Sequence, residues 1–302
     1  MSAPAAAVGR EPSVARDLIA LTKPRIISLL LLTTLAPMFV AGSPSWATIL
    51  WTGIGGYLMA GGANAVNMYL DRDIDHMMAR TKLRPIPSGR LSARAVLAFG
   101  IAIATAATWL LGHFVNVLTS ALALGGFYFY VFVYTRWLKR TTPQNIVLGG
   151  AAGAFPPLVG WAAVTGQVDL ASLYLFLIIF YWTPPHFWAL ALLKQHDYGR
   201  AGVPMAPNIW GERETIDQML WYSVLLLALS VLPVTFGVFG LVYQASAIAL
   251  GGVLLVGVWR VRTRAARGES WTAVAWSVYK FSLLYLALLF VAMAIDRHWR
   301  IG

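Results

Sequence analysis

The residues best equipped for chemistry lie in one stretch, Asn67-Met-Tyr-Leu-Asp71-Arg-Asp-Ile-Asp75-His76. On a helix, positions i, i+4 and i+8 share a face, which puts Asn67, Asp71 and Asp75 about 6 Å from one to the next and turns Asp73 away. Two carboxylates that close repel each other unless a cation lies between them. Hard oxygen ligands at this density suit Mg²⁺, which keeps several waters and is shared with substrate phosphates. Arg80, Lys82, Arg84 and Arg90 follow at once, and fixed cations beside metal-holding acids make a diphosphate site. A second reading stays open, in which loop acids simply pair with loop arginines. Asn67 and Asp71 weigh against it because they reach back into an apolar run, where an uncompensated carboxylate is expensive.

What must position these residues is a membrane bundle. Of 302 residues, 59% are hydrophobic and 12% charged, where a globular domain carries about 25% charged residues. Runs of about 20 apolar residues fall at 25–42, 46–69, 93–112, 117–135, 144–164, 171–192, 218–237, 242–261 and 274–295. This predicts an all-α polytopic membrane protein with nine transmembrane helices. The connections alternate. One set is short and almost free of Lys and Arg; the other holds Arg72 to Arg94, then Arg136, Lys139 and Arg140, then Lys194, Arg200 and Arg213, then Arg260, Arg262, Arg264 and Arg267. The positive-inside rule places the basic set and the N-terminus in the cytoplasm and the C-terminus outside, on the periplasmic face, with only Arg297 and Arg300 left there. The domain expectation is a cytoplasmic segment 1–22, one nine-helix unit 23–296 with cytoplasmic loops 70–92 and 193–217, and an external tail 297–302.

The net charge of +11 is then a topology signal, and no nucleic-acid partner is expected. The absence of cysteine rules out disulfides, thiolate metal sites and covalent haem attachment, leaving O or N ligands for any metal. Arg10, Arg16, Lys23 and Arg25 precede the first run with no cleavage pattern, so the first helix is expected to stay. An ion-coupled transporter would want ionisable residues near mid-membrane, and only Lys280 lies away from a span end. Asp71 and Asp197 hold comparable places after the second and sixth spans, which suggests a weak duplication of a four-helix unit.

Asn67-x-x-x-Asp71-x-x-x-Asp75 at the end of the second span resembles the first aspartate-rich motif of the UbiA superfamily of intramembrane prenyltransferases. Further blocks are similar to its haem-modifying branch: Thr22-Lys23-Pro24-Arg25; Gly149-Gly150 through Phe155-Pro156-Pro157 to Gly160-Trp161; and Trp182-Thr183-Pro184-Pro185-His186-Phe187-Trp188 running to Asp197-Tyr198. The resemblance implies transfer of farnesyl from farnesyl diphosphate to a vinyl group of haem B, with water added, giving haem O and diphosphate. It implies Mg²⁺ on Asp71 and Asp75, haem B as substrate rather than cofactor, a multi-pass protein of a bacterial-type inner membrane with a cytoplasm-facing site, and a haem A synthase or terminal oxidase as assembly partner.

Quinone-type and chlorophyll-type relatives are the alternative. They carry a second acidic pair after the sixth span, where this chain offers Lys194, His196, Asp197 and Tyr198. Here only Asp197 is a good oxygen ligand, so Asn67, Asp71, Asp75, Lys194 and Asp197 are the expected catalytic set. Arg80, Lys82, Arg84 and Arg200 are expected on the diphosphate. His186 and Trp182 are expected at the haem. An imidazole following two helix-interrupting prolines is placed to ligate iron or, alternatively, to hydrogen-bond a neighbouring helix. Tyr128, Tyr130 and Tyr134 offer ring faces to an allylic cation or serve only as packing. Lys280 either pairs a haem propionate or snorkels to the interface.

Overall fold

The computed structural model describes residues 13–235 and 239–301. Of the expected segment 1–22, residues 1–12 lie outside the described residues, and the backbone of 297–301 continues the last helix. The described residues are helical and loop only. In chain order the helices are α1 (Val14–Thr22), α2 (Pro24–Ala41), α3 (Trp46–Leu70), α4 (Ala93–Phe114), α5 (Val117–Tyr128), α6 (Asn145–Thr165), α7 (Leu170–Leu193), α8 (Glu212–Thr235), α9 (Leu241–Ala266) and α10 (Thr272–Ile301). The span of α5 continues as a π-helix, Phe129–Leu138, and ends in a short turn, Lys139–Thr141.

Caps written in the sequence start these helices. Ser45, Ser92 and Asn116 accept from the backbone N–H of Thr48, Ala95 and Thr119. Asp169 and Ser172 form a reciprocal capping box at the head of α7, satisfying donors that the helix itself leaves open. Pro24 opens α2, where its missing N–H costs nothing. Pro184 and Pro185 lie within α7 and the helix runs through both.

Each long helix packs on the next, and α10 returns to α2, so α2 to α10 close a ring; α6 crosses it to α2 and α7 to α10. The crossing of α6 over α2 depends on Gly160, whose place a β-carbon would share with the Thr34 carbonyl oxygen. Outward faces carry large exposed apolar side chains such as Trp46, Trp109, Leu170 and Trp221, as a lipid-facing surface requires. By length and composition, eight spans are apolar enough to cross a membrane: α2, Val117–Thr141, α4 and α6 to α10. Helix α3 has the length, 25 residues, but carries five glycines and two asparagines, and it is not among the eight. The molecule is a multi-pass helical membrane protein. Its nine predicted runs fall on long helices over the described residues, residues 236–237 of the run 218–237 lying outside them.

Candidate functional site

Helix α3 ends at Leu70. Asp71 keeps the helical hydrogen bond to the Asn67 carbonyl (2.9 Å), and one further turn, Arg72–Asp75, brings the Asp75 N–H to the Asp71 carbonyl (2.9 Å). The ladder read from spacing is therefore built by nearly continuous helix. Asn67, Asp71 and Asp75 are all buried. Asn67 Nδ2 donates to Asp71 Oδ2 (2.8 Å) and to Thr135 Oγ1 (3.1 Å). Thr135 reaches it from the π-helix, where its hydroxyl donates to the Tyr130 carbonyl five residues back (2.8 Å).

Four cations from three parts of the chain interleave with this ladder. Lys139 Nζ lies 2.5 Å from Asp71 Oδ2. Arg84 grips Asp75 with one nitrogen 2.8 and 2.7 Å from its two oxygens, and the Thr81 hydroxyl donates to the Asp75 carbonyl (2.6 Å). Arg140 pairs bidentately with Asp73, at 2.6 and 2.8 Å, and passes 3.7 Å from Asp71 Oδ1. Lys23 Nζ donates to the Asn64 and Asn67 side-chain oxygens (3.2 and 3.3 Å). Lys23 is the one described non-glycine residue in the left-handed region (φ 56°), where it turns α1 into α2.

These contacts move the proton equilibria. Burial lowers Lys23 to about 7, with repulsion from Arg84 adding to the shift. The Arg140 hydrogen bond draws Asp73 down to about 2. Burial raises Asp75 against the opposing pull of Arg84.

The loop residues expected beside the ladder divide. Arg84 is on it. Arg80 instead reaches Tyr198 (NH2 to the hydroxyl, 3.4 Å), tying loop 70–92 to the segment after α7. Lys82 is exposed, and Arg90 clamps Asp17 of α1 (3.0 and 2.9 Å). Asp197 and Arg200 pair with each other (2.5 Å), and Lys194 faces the Trp276 ring at 5.6 Å, so none of the three contacts the acids. Tyr130 and Tyr134 stack at 5.7 Å, whereas Tyr128 and Lys280 are exposed. Sequence reading had Lys139 and Arg140 only as topology signals, and Lys23 only as one of the cations before the first run and as part of a resembling block. Asn64, one turn before Asn67 on the same helix, was the available signal that α3 carries more than one polar group inward.

His186 occupies a second buried cluster, about 10 Å back from the end of α7 by helical rise. Its ring lies between Trp182 (4.4 Å, 14°) and Tyr279 (4.8 Å, 20°). Trp182 Nε1 donates to the Ser282 carbonyl (2.8 Å). His186 Nδ1 lies 2.7 Å from Ser282 Oγ, and that hydroxyl donates its one proton to the Tyr279 carbonyl (2.8 Å). Nδ1–H is therefore the donor, and Nε2 keeps its lone pair. The expected alternative of a bond to a neighbouring helix is realised, and the same bond fixes the tautomer that a metal ligand needs.

Ladder and ring together define an intramembrane helical protein with an acid-and-cation site at one end of its bundle. The UbiA prenyltransferase family model matches residues 30–283, and the chain belongs to that family. A protoheme IX farnesyltransferase of Roseiflexus sp. strain RS-1 is 54% identical over 289 residues, 95% of this chain and 53% of that protein. One of Symbiobacterium thermophilum is 53% identical over 254 residues, 82% of this chain and 85% of the relative. The chain spans about half the length of the Roseiflexus and Chloroflexus relatives it matches. In structure it resembles a digeranylgeranylglyceryl phosphate synthase (TM-score 0.75, 17% identity, covering 94% of this chain and 98% of that one). It also resembles a UbiA homolog of Archaeoglobus fulgidus bound to GPP and Mg²⁺ (TM-score 0.67, 16% identity, covering 92% and 99%).

Proposed function

We propose that this chain transfers the farnesyl group of farnesyl diphosphate to a vinyl group of haem B, with addition of water, giving haem O and diphosphate. The observation that carries the reading is the pairing of a buried acid ladder, interleaved with cations, and a separate buried imidazole held in a ligating tautomer. The names of the half-identical relatives support it.

Mg²⁺ fits the donor set. Asp71 Oδ1 is buried and has no hydrogen-bond partner, and the neighbouring donors are amide and carboxylate oxygens. Mg²⁺ needs only one or two protein carboxylates when it is shared with substrate phosphates. Asp71 and Asn67 would hold it, joined by Asp75 on release of Arg84. When bound, the ion neutralises charge developing on the leaving diphosphate.

The chain's own residues do the rest. Arg84, Lys139 and Arg140 leave the acids, and Lys23 its two asparagines, for the diphosphate oxygens as the allylic C–O bond breaks. Tyr130 and Tyr134 present ring faces to the farnesyl cation. The terminal vinyl carbon bonds to the farnesyl C1; water adds at the other vinyl carbon and gives up a proton. His186 Nε2 ligates the haem iron with Trp182 and Tyr279 flanking it, and Lys194 and Arg200 serve as fixed cations for the diphosphate, with Asp197 the remaining oxygen ligand after α7. We further infer that α3 is the ninth span, that the N-terminus and both long loops face the cytoplasm of a bacterial inner membrane, and that haem O passes to a haem A synthase or terminal oxidase.

The test is incubation of the purified protein with haem B, farnesyl diphosphate and Mg²⁺, followed by mass analysis of the haem. Hydroxyethylfarnesyl haem is the expected product. Unmodified haem with farnesyl diphosphate still consumed would overturn the acceptor assignment.

A further inference from the structure

Away from the acid ladder, α9 and α10 enclose an open groove of about 1200 Å³. Its two halves differ in chemistry. Towards the middle of the bundle it is lined by Gly252, Val253, Val256 and Phe281; at the end shared with the ladder it is lined by Arg260, Arg264 and Arg267. Spacings of four and three residues set these arginines on one helix face, continuous with the apolar face formed by Val253 and Val256.

The arginines are nearly free of protein partners. Arg264 donates to the Ser270 carbonyl at 3.3 Å, Arg267 lies 4.0 Å from exposed Glu269, and the Arg260 guanidinium makes no hydrogen bond or ion pair among the described residues. Three exposed guanidiniums facing one carboxylate leave a positive mouth above an apolar trough. Gly252 forms the floor: a β-carbon there would meet nothing within 4 Å.

We propose that this groove binds one anionic phospholipid, its phosphate on Arg260, Arg264 and Arg267 and an acyl chain along Gly252 and Val256. Charge complementarity selects the occupant. A zwitterionic lipid brings a cationic headgroup to three arginines, whereas an anionic one does not, and a basic recess between membrane helices is a recognised headgroup site. The arginines take no part in the ladder, so the site is separate from the transfer chemistry.

Native mass spectrometry of the intact protein in neutral detergent, titrated with phosphatidylglycerol, cardiolipin or phosphatidylcholine, tests it. We expect an anionic-lipid adduct at least fivefold more abundant than the phosphatidylcholine adduct. The Arg260→Gln/Arg264→Gln/Arg267→Gln variant should lose it, and Gly252→Phe, which fills open space, should lose it while keeping the wild-type melting temperature. Equal adducts for anionic and zwitterionic lipid, or an undiminished adduct in the arginine variant, overturn the proposal. So does a dimer mass that Gly252→Phe abolishes, which would give the groove to a second copy of the chain, or retention of farnesyl diphosphate in place of phospholipid.

Discussion

Lys139 Nζ sits 2.5 Å from Asp71 Oδ2, and the two side chains are 10% and 1% exposed. The pair joins the foot of the π-helical span to the foot of α3. Desolvating both charges consumes most of their attraction, yet removing one partner strands the other in the bundle, at a cost of about 3–5 kcal/mol. Lys139→Met should therefore lower the melting temperature sharply in detergent. Lys139→Met combined with Asp71→Asn should recover most of that loss while remaining inactive. A double variant no more stable than the single one would show that the charges are not coupled.

Asp75 is gripped by Arg84 through both oxygens. Asp75→Asn keeps the shape but removes the charge, and turnover should fall on the order of 10²-fold or more, with haem binding followed by absorbance largely intact. Chelating Mg²⁺ should have the same effect on the wild type. An Asp75→Asn enzyme with normal Mg²⁺-dependent turnover would remove this carboxylate from the metal site.

His186 presents Nε2 because Ser282 Oγ accepts the hydrogen bond from Nδ1–H. His186→Ala should alter the absorption spectrum of bound haem. Ser282→Ala should keep haem bound but broaden the same bands, since the ring is no longer held in one tautomer. An unchanged His186→Ala spectrum moves iron ligation elsewhere.

Gly160 lets α6 lie on the backbone of α2 at Thr34, while a β-carbon at Gly153 on the same helix would meet nothing within 4 Å. Gly160→Ala should cut the yield of folded protein several-fold, and Gly153→Ala should leave it unchanged. Size-exclusion profiles of the two variants, purified side by side, decide between helix propensity and close approach as the cause.

The spans were legible because membrane helices repeat one simple requirement, a long apolar run. Helix α3 shows the limit of that signal: its glycines and asparagines lower its hydropathy, yet they are what allow close packing and hold the acid ladder. Asn67, Asp71 and Asp75 could be read because they share one helix. Lys23 and Lys139, 116 positions apart, could not be joined to them, since nothing local in a sequence states which helix ends meet. The turning of Arg80 to Tyr198, 118 positions away, was hidden for the same reason.

The π-helix Phe129–Leu138 gives one span a wider turn than its neighbours, and hydrogen bonds that skip five residues are uncommon outside functional sites. Each such turn holds spare backbone length, and in this chain that slack lies between Tyr130, whose carbonyl receives Thr135, and Lys139, which holds Asp71. Deleting a single residue from 129–134 would let the segment relax into ordinary α-helix at the same bundle position, swinging Thr135 out of register with Asn67. The register of this one span thus works as a vernier for the acid ladder, adjustable by one residue without disturbing the ring that carries it.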